Sequence, residues 1–440
     1  MSEETKGRKP SLGGALVTFA RTHREAKKGQ LSPRRIREAA EADARIVKAV
    51  SPRLVSSLLR AASLAERFRS FGNKRPRVLT SEIQAVASAA FGLVHDLDFS
   101  TLTRFIENRL RMETSDDPTA AKKARKRQKK EELGIAIPWS LVVDVTSLCN
   151  ITPPCKGCHA AEYPRTEGPS LEKLDGLVGE ADELGINTVV FSGGEPLMRE
   201  LDLQEVMEEH PYLNYAVFTN GTLIGEKTAQ RFLDTGAVTA LFIHIEGDRK
   251  ATDKYMGAGS HDRIIRGMDH LKKGGFPFGF AITITRDNFK QVTNEAFLDD
   301  LKEKGCGYGI FFPYVPVGNN PKPELMLTDK RRAELAMVSH RANKSGLLVF
   351  SPEEFYQKGG GCSAGFYAAV TAGGELQPCV FIHSSDTGNV YEQSLRRALE
   401  DSQLIRACQA EAGKEASCLF RDRQDRLLEI VAETGATSTE

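Results

Sequence analysis

The chain has 440 residues, 40% hydrophobic and 27% charged, the make-up of a globular protein with a substantial core, and this excludes disorder as its main state. Lys and Arg number 60 against 59 Asp and Glu, so no whole-chain field directs it to nucleic acid or a membrane, and any such contact needs a local patch. The opening stretch MSEETKGRKPSLGG is polar, unlike a secretory signal, and no run of about eighteen apolar residues occurs, so the expectation is a soluble, cytoplasmic protein whose cysteines are metal ligands and buried thiols.

In chain order, residues 1–112 carry apolar residues at helical spacing, such as Leu54, Val55, Leu58 and Leu59, then Phe99, Leu102, Phe105, Ile106 and Leu110, which predicts a helical N-terminal domain. The pattern stops over 113–137, where KKARKRQKK (122–130) packs seven positive charges into nine residues. Like charges repel and form no core, so this reads as a solvated basic linker or exposed helix, with contact to an anionic membrane surface as the second reading. No aromatic residue lies in the run to stack on bases, and it carries no strong nucleic-acid signal.

From 138 to 350 short β-branched runs alternate with helical stretches. They are LVVDVT, a helix near 170–184, TVVFSGG, a helix from 201, YAVFTNG, a helix near 225–234, ALFIHIEG, a helix near 262–273, FGFAITITR, a helix near 291–303, GYGIFFPYVPVG and a helix near 328–344. Six strand–helix units predict an α/β fold, a partial (β/α)6 TIM-type barrel with its chemistry at the carboxyl ends of the strands. After 350 the alternation gives way to GGGCSAGFYAAVTAGGELQPC, and 351–440 is expected to form a small Cys-bearing C-terminal domain.

Cys149, Cys155 and Cys158 lie in CNITPPCKGC, directly after the first barrel strand, where a loop reaches the active face. Pro153, Pro154 and Gly157 make this an irregular loop with no core to fill, so the cysteines read as a metal site. Three thiolates holding a four-iron cubane leave one iron open to a ligand, whereas structural zinc wants a fourth donor, for which His159 is available. At the end of the second strand comes SGGEP, with Gly193, Gly194 and Glu195; glycines allow close backbone approach, and a carboxylate accepts hydrogen bonds from an ammonium. FTNGT ends the third strand and IHIEG the fourth, bringing Asn220, His244 and Glu246 to the same rim. The plainer reading of these three is a turn residue, a histidine packed on the sheet and a helix cap, and Asn288 is a turn residue on the same reading.

The cysteine loop, the GGE turn and these strand ends together resemble the radical S-adenosylmethionine (SAM) superfamily. The usual loop there is C-x3-C-x2-C, against C-x5-C-x2-C here, and the position before the third cysteine is often an aromatic that packs by adenine, against Gly157 here. The resemblance implies a 4Fe-4S cluster on Cys149, Cys155 and Cys158 and SAM held through Gly193, Gly194, Glu195, Asn220, His244 and Glu246. It also implies an electron donor such as flavodoxin or ferredoxin. The implied reaction is reductive cleavage of SAM to a 5'-deoxyadenosyl radical, which abstracts hydrogen from an unactivated carbon of an unidentified substrate: a lipid, a peptide or a small metabolite.

Cys362 and Cys379, spaced C-x11-G-x4-C around Gly374, resemble the opening of SPASM or twitch domains, which implies an auxiliary 4Fe-4S cluster with Cys418 as its last ligand. The dense cysteine run of a full SPASM domain is absent, and a structural zinc remains the alternative. Cys408 and Cys306 read as buried thiols and His383 as a structural histidine. The rival for the whole chain is a non-catalytic binding or electron-transfer protein stabilised by zinc or an iron-sulfur cluster.

Overall fold

The computed structural model describes residues 137–440 and Gly134, apart from 187, 212, 236–237, 319, 358, 365–366 and 413. The expected N-terminal helical domain and the basic run 122–130 lie outside the described residues. Each predicted strand is present: β1 Ser140–Asp144, β2 Thr188–Ser192, β3 Asn214–Thr219, β4 Val238–His244, β5 Phe278–Ile284 and β6 Cys306–Pro313. A short β7, Leu348–Phe350, continues the series, and all neighbours from β1 to β7 pair in parallel.

Helical crossovers return the chain to the start of each next strand, as parallel pairing requires. The first, Leu171–Glu183, is capped by Ser170, whose hydroxyl accepts from the Lys173 amide at 3.3 Å, and it buries Leu174, Leu177, Val178 and Ala181 at helical spacing. Asp248, Asn294 and Thr328 cap the helices Arg249–Met256, Glu295–Glu303 and Asp329–Lys344 in the same way. The helix Ser260–Gly274 ends at Gly275 with φ 74°, a left-handed conformation suited to glycine.

The sheet has nine strands in the order β7-β6-β5-β4-β3-β2-β1-β8-β9, an open, partial TIM-type barrel. Residues 351–440 are joined to this sheet: β8, Tyr367–Val370, pairs in parallel with β1, and β9, Leu376–Gln377, runs antiparallel to β8. Ala368, Val370, Leu376, Leu395 and Leu399 belong to the main core. A second core, with Cys362, Cys379, Ile382, Leu404, Cys408, Leu419 and Ile430, lies beside it, and β10, Ser384–Ser385, pairs with β11, Thr437–Ser438. Among the described residues no helix is long and apolar enough to cross a membrane.

The β5–β6 contact shows how side-chain size is matched across strands. Gly279 faces Tyr308 and Phe280 faces Gly309 in the register, so on each face a ring lies over a glycine. A Cβ on Gly309 would stand 2.1 Å from the Phe280 ring, and one on Gly279 2.2 Å from that of Tyr308. Gly309→Ala is therefore expected to displace the Phe280 ring and lower stability by about 1–3 kcal/mol, measured by denaturant unfolding. An unchanged midpoint would show that the ring moves freely.

Candidate active site

The carboxyl ends of β1 to β6 carry the polar residues of the barrel. The loop after β1 leans on the turn after β2 through two backbone bonds, Gly194 N–H to Thr146 O at 2.8 Å and Glu195 N–H to Leu148 O at 2.9 Å. No side chain fits between them: a Cβ on Gly193 would stand 2.2 Å from Thr146 O and one on Gly194 2.0 Å from Leu148 O, and Gly193 has φ 124°. The glycines thus serve the approach of turn to cysteine loop.

Glu195 is fully buried. Its Oε1 accepts from the Leu197 amide at 3.0 Å and the Thr219 hydroxyl at 2.7 Å, and its Oε2 from the Asn220 amide at 2.7 Å. The carboxylate expected to meet an ammonium therefore already serves three of the chain's own donors, binding the end of β2 to that of β3. Desolvation lifts its pKa to about 7 despite these bonds.

Asn220 is a junction. Its Nδ2 donates to Asn150 Oδ1 at 2.8 Å and to Cys149 Sγ at 3.8 Å, while its Oδ1 accepts from the Thr222 amide and hydroxyl at 2.9 and 2.6 Å. It is both the turn residue of the plainer reading and a contact to the first cysteine. Asn288 closes the β5 end, donating to Thr283 O at 2.9 Å and Glu246 O at 3.2 Å.

The three loop cysteines are half-buried and within electrostatic reach of one another. Burial is the largest cause raising each thiol pKa, and neighbouring thiols together with Glu195 and Glu246 add to it. Arg165 opposes this at Cys149 and Cys158. Three thiols that resist ionisation together suit a cationic partner, since binding to iron takes the thiolate form. Among the described residues no group of three or more His, Cys, Asp and Glu is gathered tightly enough to chelate one metal ion.

Glu246 is buried and accepts from the Thr283 amide at 3.0 Å, with its pKa raised to about 8 by desolvation. His244 Nδ1 lies 4.0 Å from Glu246 Oε1, and burial lowers the imidazole pKa to about 4, so at neutral pH the two are not an ion pair. Sequence reading missed Asp144 on β1: it is buried, Oδ1 has no hydrogen-bond partner, and its pKa is raised to about 7. Its signal was a single acid inside LVVDVT.

The C-terminal cysteines converge too. Cys362 and Cys418 share a side-chain hydrogen bond, and Cys362 Sγ accepts from the Ala364 and Leu419 amides, each at 3.4 Å. Cys379 lies within electrostatic reach of both, its Sγ 3.0 Å from the Tyr367 hydroxyl. Cys408 is fully buried in the helix Gln403–Ala412, Cys306 is buried at the start of β6, and His383 uses both ring nitrogens, on Glu440 and Val380 O.

Buried acids predict a pH signature. Asp144 binds a proton more readily folded than unfolded, so its contribution to stability is full below its ordinary value of 3.8 and lost as pH rises through about 7. His159 and His244, held near 4, act oppositely, losing stability as pH falls below about 6.5. The informative quantity is the difference between Asp144→Asn and the parent in unfolding midpoint. The variant is expected to gain on the parent from about pH 4 to pH 7, to keep that gain at higher pH and to match the parent below about pH 4; a constant difference would contradict the burial argument.

The Radical SAM superfamily model matches residues 143–303. The chain is 25% identical over 303 residues to the AdoMet-dependent heme synthase of Methanosarcina barkeri, spanning 61% of this chain and 84% of that protein. It is 29% identical over 212 residues to the Fe-coproporphyrin III synthase of the same organism, spanning 46% of this chain and 51% of that one, about half its length. The crystal structure of Streptococcus suis SuiB bound to S-adenosylmethionine aligns with a TM-score of 0.54 over 73% of this chain and 82% of that one; at 18% identity it shows the shared fold.

Proposed function

The chain is an enzyme built on a radical SAM domain, and from that premise we propose that Cys149, Cys155 and Cys158 hold a 4Fe-4S cluster with one iron open to SAM. The observation that supports this is the rim itself: three half-buried thiols beside a glycine turn clamped by Glu195 and an amide from Asn220. When bound, the cluster supplies the electron that breaks SAM to methionine and a 5'-deoxyadenosyl radical, which takes hydrogen from an unactivated carbon of the substrate.

The chain's own residues position and exclude. Glu195 holds the turn that carries Gly193 and Gly194 against the cysteine loop, and Asn220 donates toward Cys149 Sγ, a bond of the kind that tunes a metal site. Glu246 and His244, at the end of β4, offer a carboxyl group and a neutral imidazole to SAM.

In 351–440 we assign Cys362, Cys379 and Cys418 to an auxiliary 4Fe-4S cluster, supported by the hydrogen bond between Cys362 and Cys418 and by Cys379 within electrostatic reach of both. The family resemblance supports a cytoplasmic reaction with a flavodoxin or ferredoxin as electron donor. Among lipid, peptide and small-metabolite substrates, the names of the heme and Fe-coproporphyrin III synthases favour a tetrapyrrole-like metabolite.

Anaerobic reconstitution with iron and sulfide, followed by dithionite and SAM, is expected to yield 5'-deoxyadenosine. Replacing Cys149, Cys155 and Cys158 by Ala should cut the yield at least about a hundredfold and remove about four irons per chain. A zinc-loaded protein that leaves SAM intact would return the reading to a metal-stabilised binding protein. Replacing Cys362, Cys379 and Cys418 should remove a separate set of about four irons, whereas Cys408→Ala should remove none. Iron lost with Cys408 would show that the ligand set is misassigned.

A further inference from the structure

β8 and β9 form a hairpin whose register fixes what lies beside the second cysteine of the C-terminal set. Ala369 pairs with Gln377 and Val370 with Leu376, and the Gly374 amide closes the turn on Thr371 O at 2.9 Å. Carried back along both strands, the same register sets Tyr367, the first residue of β8, level with Cys379, two residues beyond β9. Residues opposite each other in an antiparallel pair have side chains on one face, and the Tyr367 hydroxyl stands 3.0 Å from Cys379 Sγ. Because β8 also pairs with β1, Tyr367 against Ser140, the phenol is held by the barrel sheet and not by the loop that carries the sulfur.

Donors crowd the sulfurs of this set. Cys362 Sγ accepts from the Ala364 and Leu419 amides at 3.4 Å each, the Phe381 and Ile382 amides reach the Cys379 thiol, and the Arg421 amide reaches that of Cys418. A thiol is a weak acceptor and a charged sulfur a stronger one, so several donors aimed at three sulfurs fit the thiolate form that iron holds. Between a hydroxyl and a free thiol either atom can donate; once the sulfur is a thiolate, the hydroxyl must. Unlike the amides, Tyr367 contributes through its side chain, so its part can be removed by the exchange of one oxygen.

We propose that Tyr367 sets the reduction potential of the auxiliary cluster by donating its hydroxyl to the ligand sulfur of Cys379. This rests on the assignment of Cys362, Cys379 and Cys418 to that cluster. A ligand sulfur carries more negative charge after an electron is added than before, so the donated hydrogen bond is stronger in the reduced state and raises the potential. Tyr367 is a positioning residue in this role: it acts through Cys379, and it favours acceptance of an electron at the site over its release.

The test is a potentiometric titration with dithionite, followed by electron paramagnetic resonance, of the full-length reconstituted chain with and without Tyr367→Phe. Both samples carry Cys149→Ala, Cys155→Ala and Cys158→Ala, so that the C-terminal site alone contributes. Phe keeps the ring packed against the second core and removes only the hydroxyl. The variant should retain its iron, and its reduced-to-oxidised ratio at a fixed potential should fall about tenfold, a midpoint lower by about 59 mV for a one-electron couple. Replacing Tyr367 by 3-fluorotyrosine, a stronger donor of nearly the same shape, should move the midpoint the other way; this arm stands even where the Phe variant folds poorly. Equal midpoints in the parent and both variants, with iron retained, overturn the proposal. Loss of about four irons in Tyr367→Phe with an unchanged circular dichroism spectrum overturns it as well, since the hydroxyl would then be a ligand to iron. A parent whose C-terminal cysteines hold no iron removes the auxiliary-cluster reading and this inference with it, whereas iron present with an unmoved midpoint removes the inference alone.

Discussion

One buried carboxylate ties the rim together. Glu195 takes its three hydrogen bonds from its own turn and from β3, and Asn220, fixed by one of them, reaches Asn150 and Cys149 on the loop after β1. The same turn lies against that loop with no space for a Cβ at either glycine. Position at the cysteines is therefore inherited from strand register: once β1, β2 and β3 pair in parallel, the loop, the turn and Asn220 are brought together. A site on rigid elements with satisfied partners holds its geometry more closely than one carried by free loops.

Around this frame the rim collects groups that burial makes reluctant to ionise: three thiols, Glu195, Glu246 and Asp144. So many acids in one low-dielectric place are stable only if most stay protonated or a positive group joins them. Among the described residues, positive charge reaches the loop after β1 through Arg165, which donates to Ser147 O at 2.6 Å, and Arg199, which donates to Val145 O at 2.9 Å. A cationic cofactor and a sulfonium ligand are the chemical complement of such a rim, and the neutral histidines beside it add no competing charge.

The alternation of β-branched runs with helical stretches was enough to place six strands and their crossovers, because parallel strands covered by helices read as continuous apolar runs. The same property hid which strand positions face inward. When both faces of a strand are apolar, period-two reading does not tell which of Phe218 and Val217 looks inward, and the ring contacts among β3, β4 and β6 emerge only with the register. β8 escaped sequence reading because its pairing with β1 joins residues more than two hundred apart. The cysteine loop and GGE turn were legible as motifs, whereas the hydrogen bonds of Glu195 were not: its partners Thr219 and Asn220 lie at the end of another strand. The nearness of Cys362, Cys379 and Cys418 was expected from the resemblance, and that of Tyr367 to Cys379 was not, since nothing local marks a hydroxyl as a thiol's neighbour.

The central claim is that the loop cysteines hold a cluster whose open iron receives SAM. Its most direct test is electron paramagnetic resonance of the dithionite-reduced chain carrying Cys362→Ala, Cys379→Ala and Cys418→Ala, recorded with and without SAM, so that the loop site alone contributes. The account predicts a reduced 4Fe-4S signal whose g-values shift when SAM is added. A signal that SAM leaves unmoved, or none after reconstitution, would contradict it.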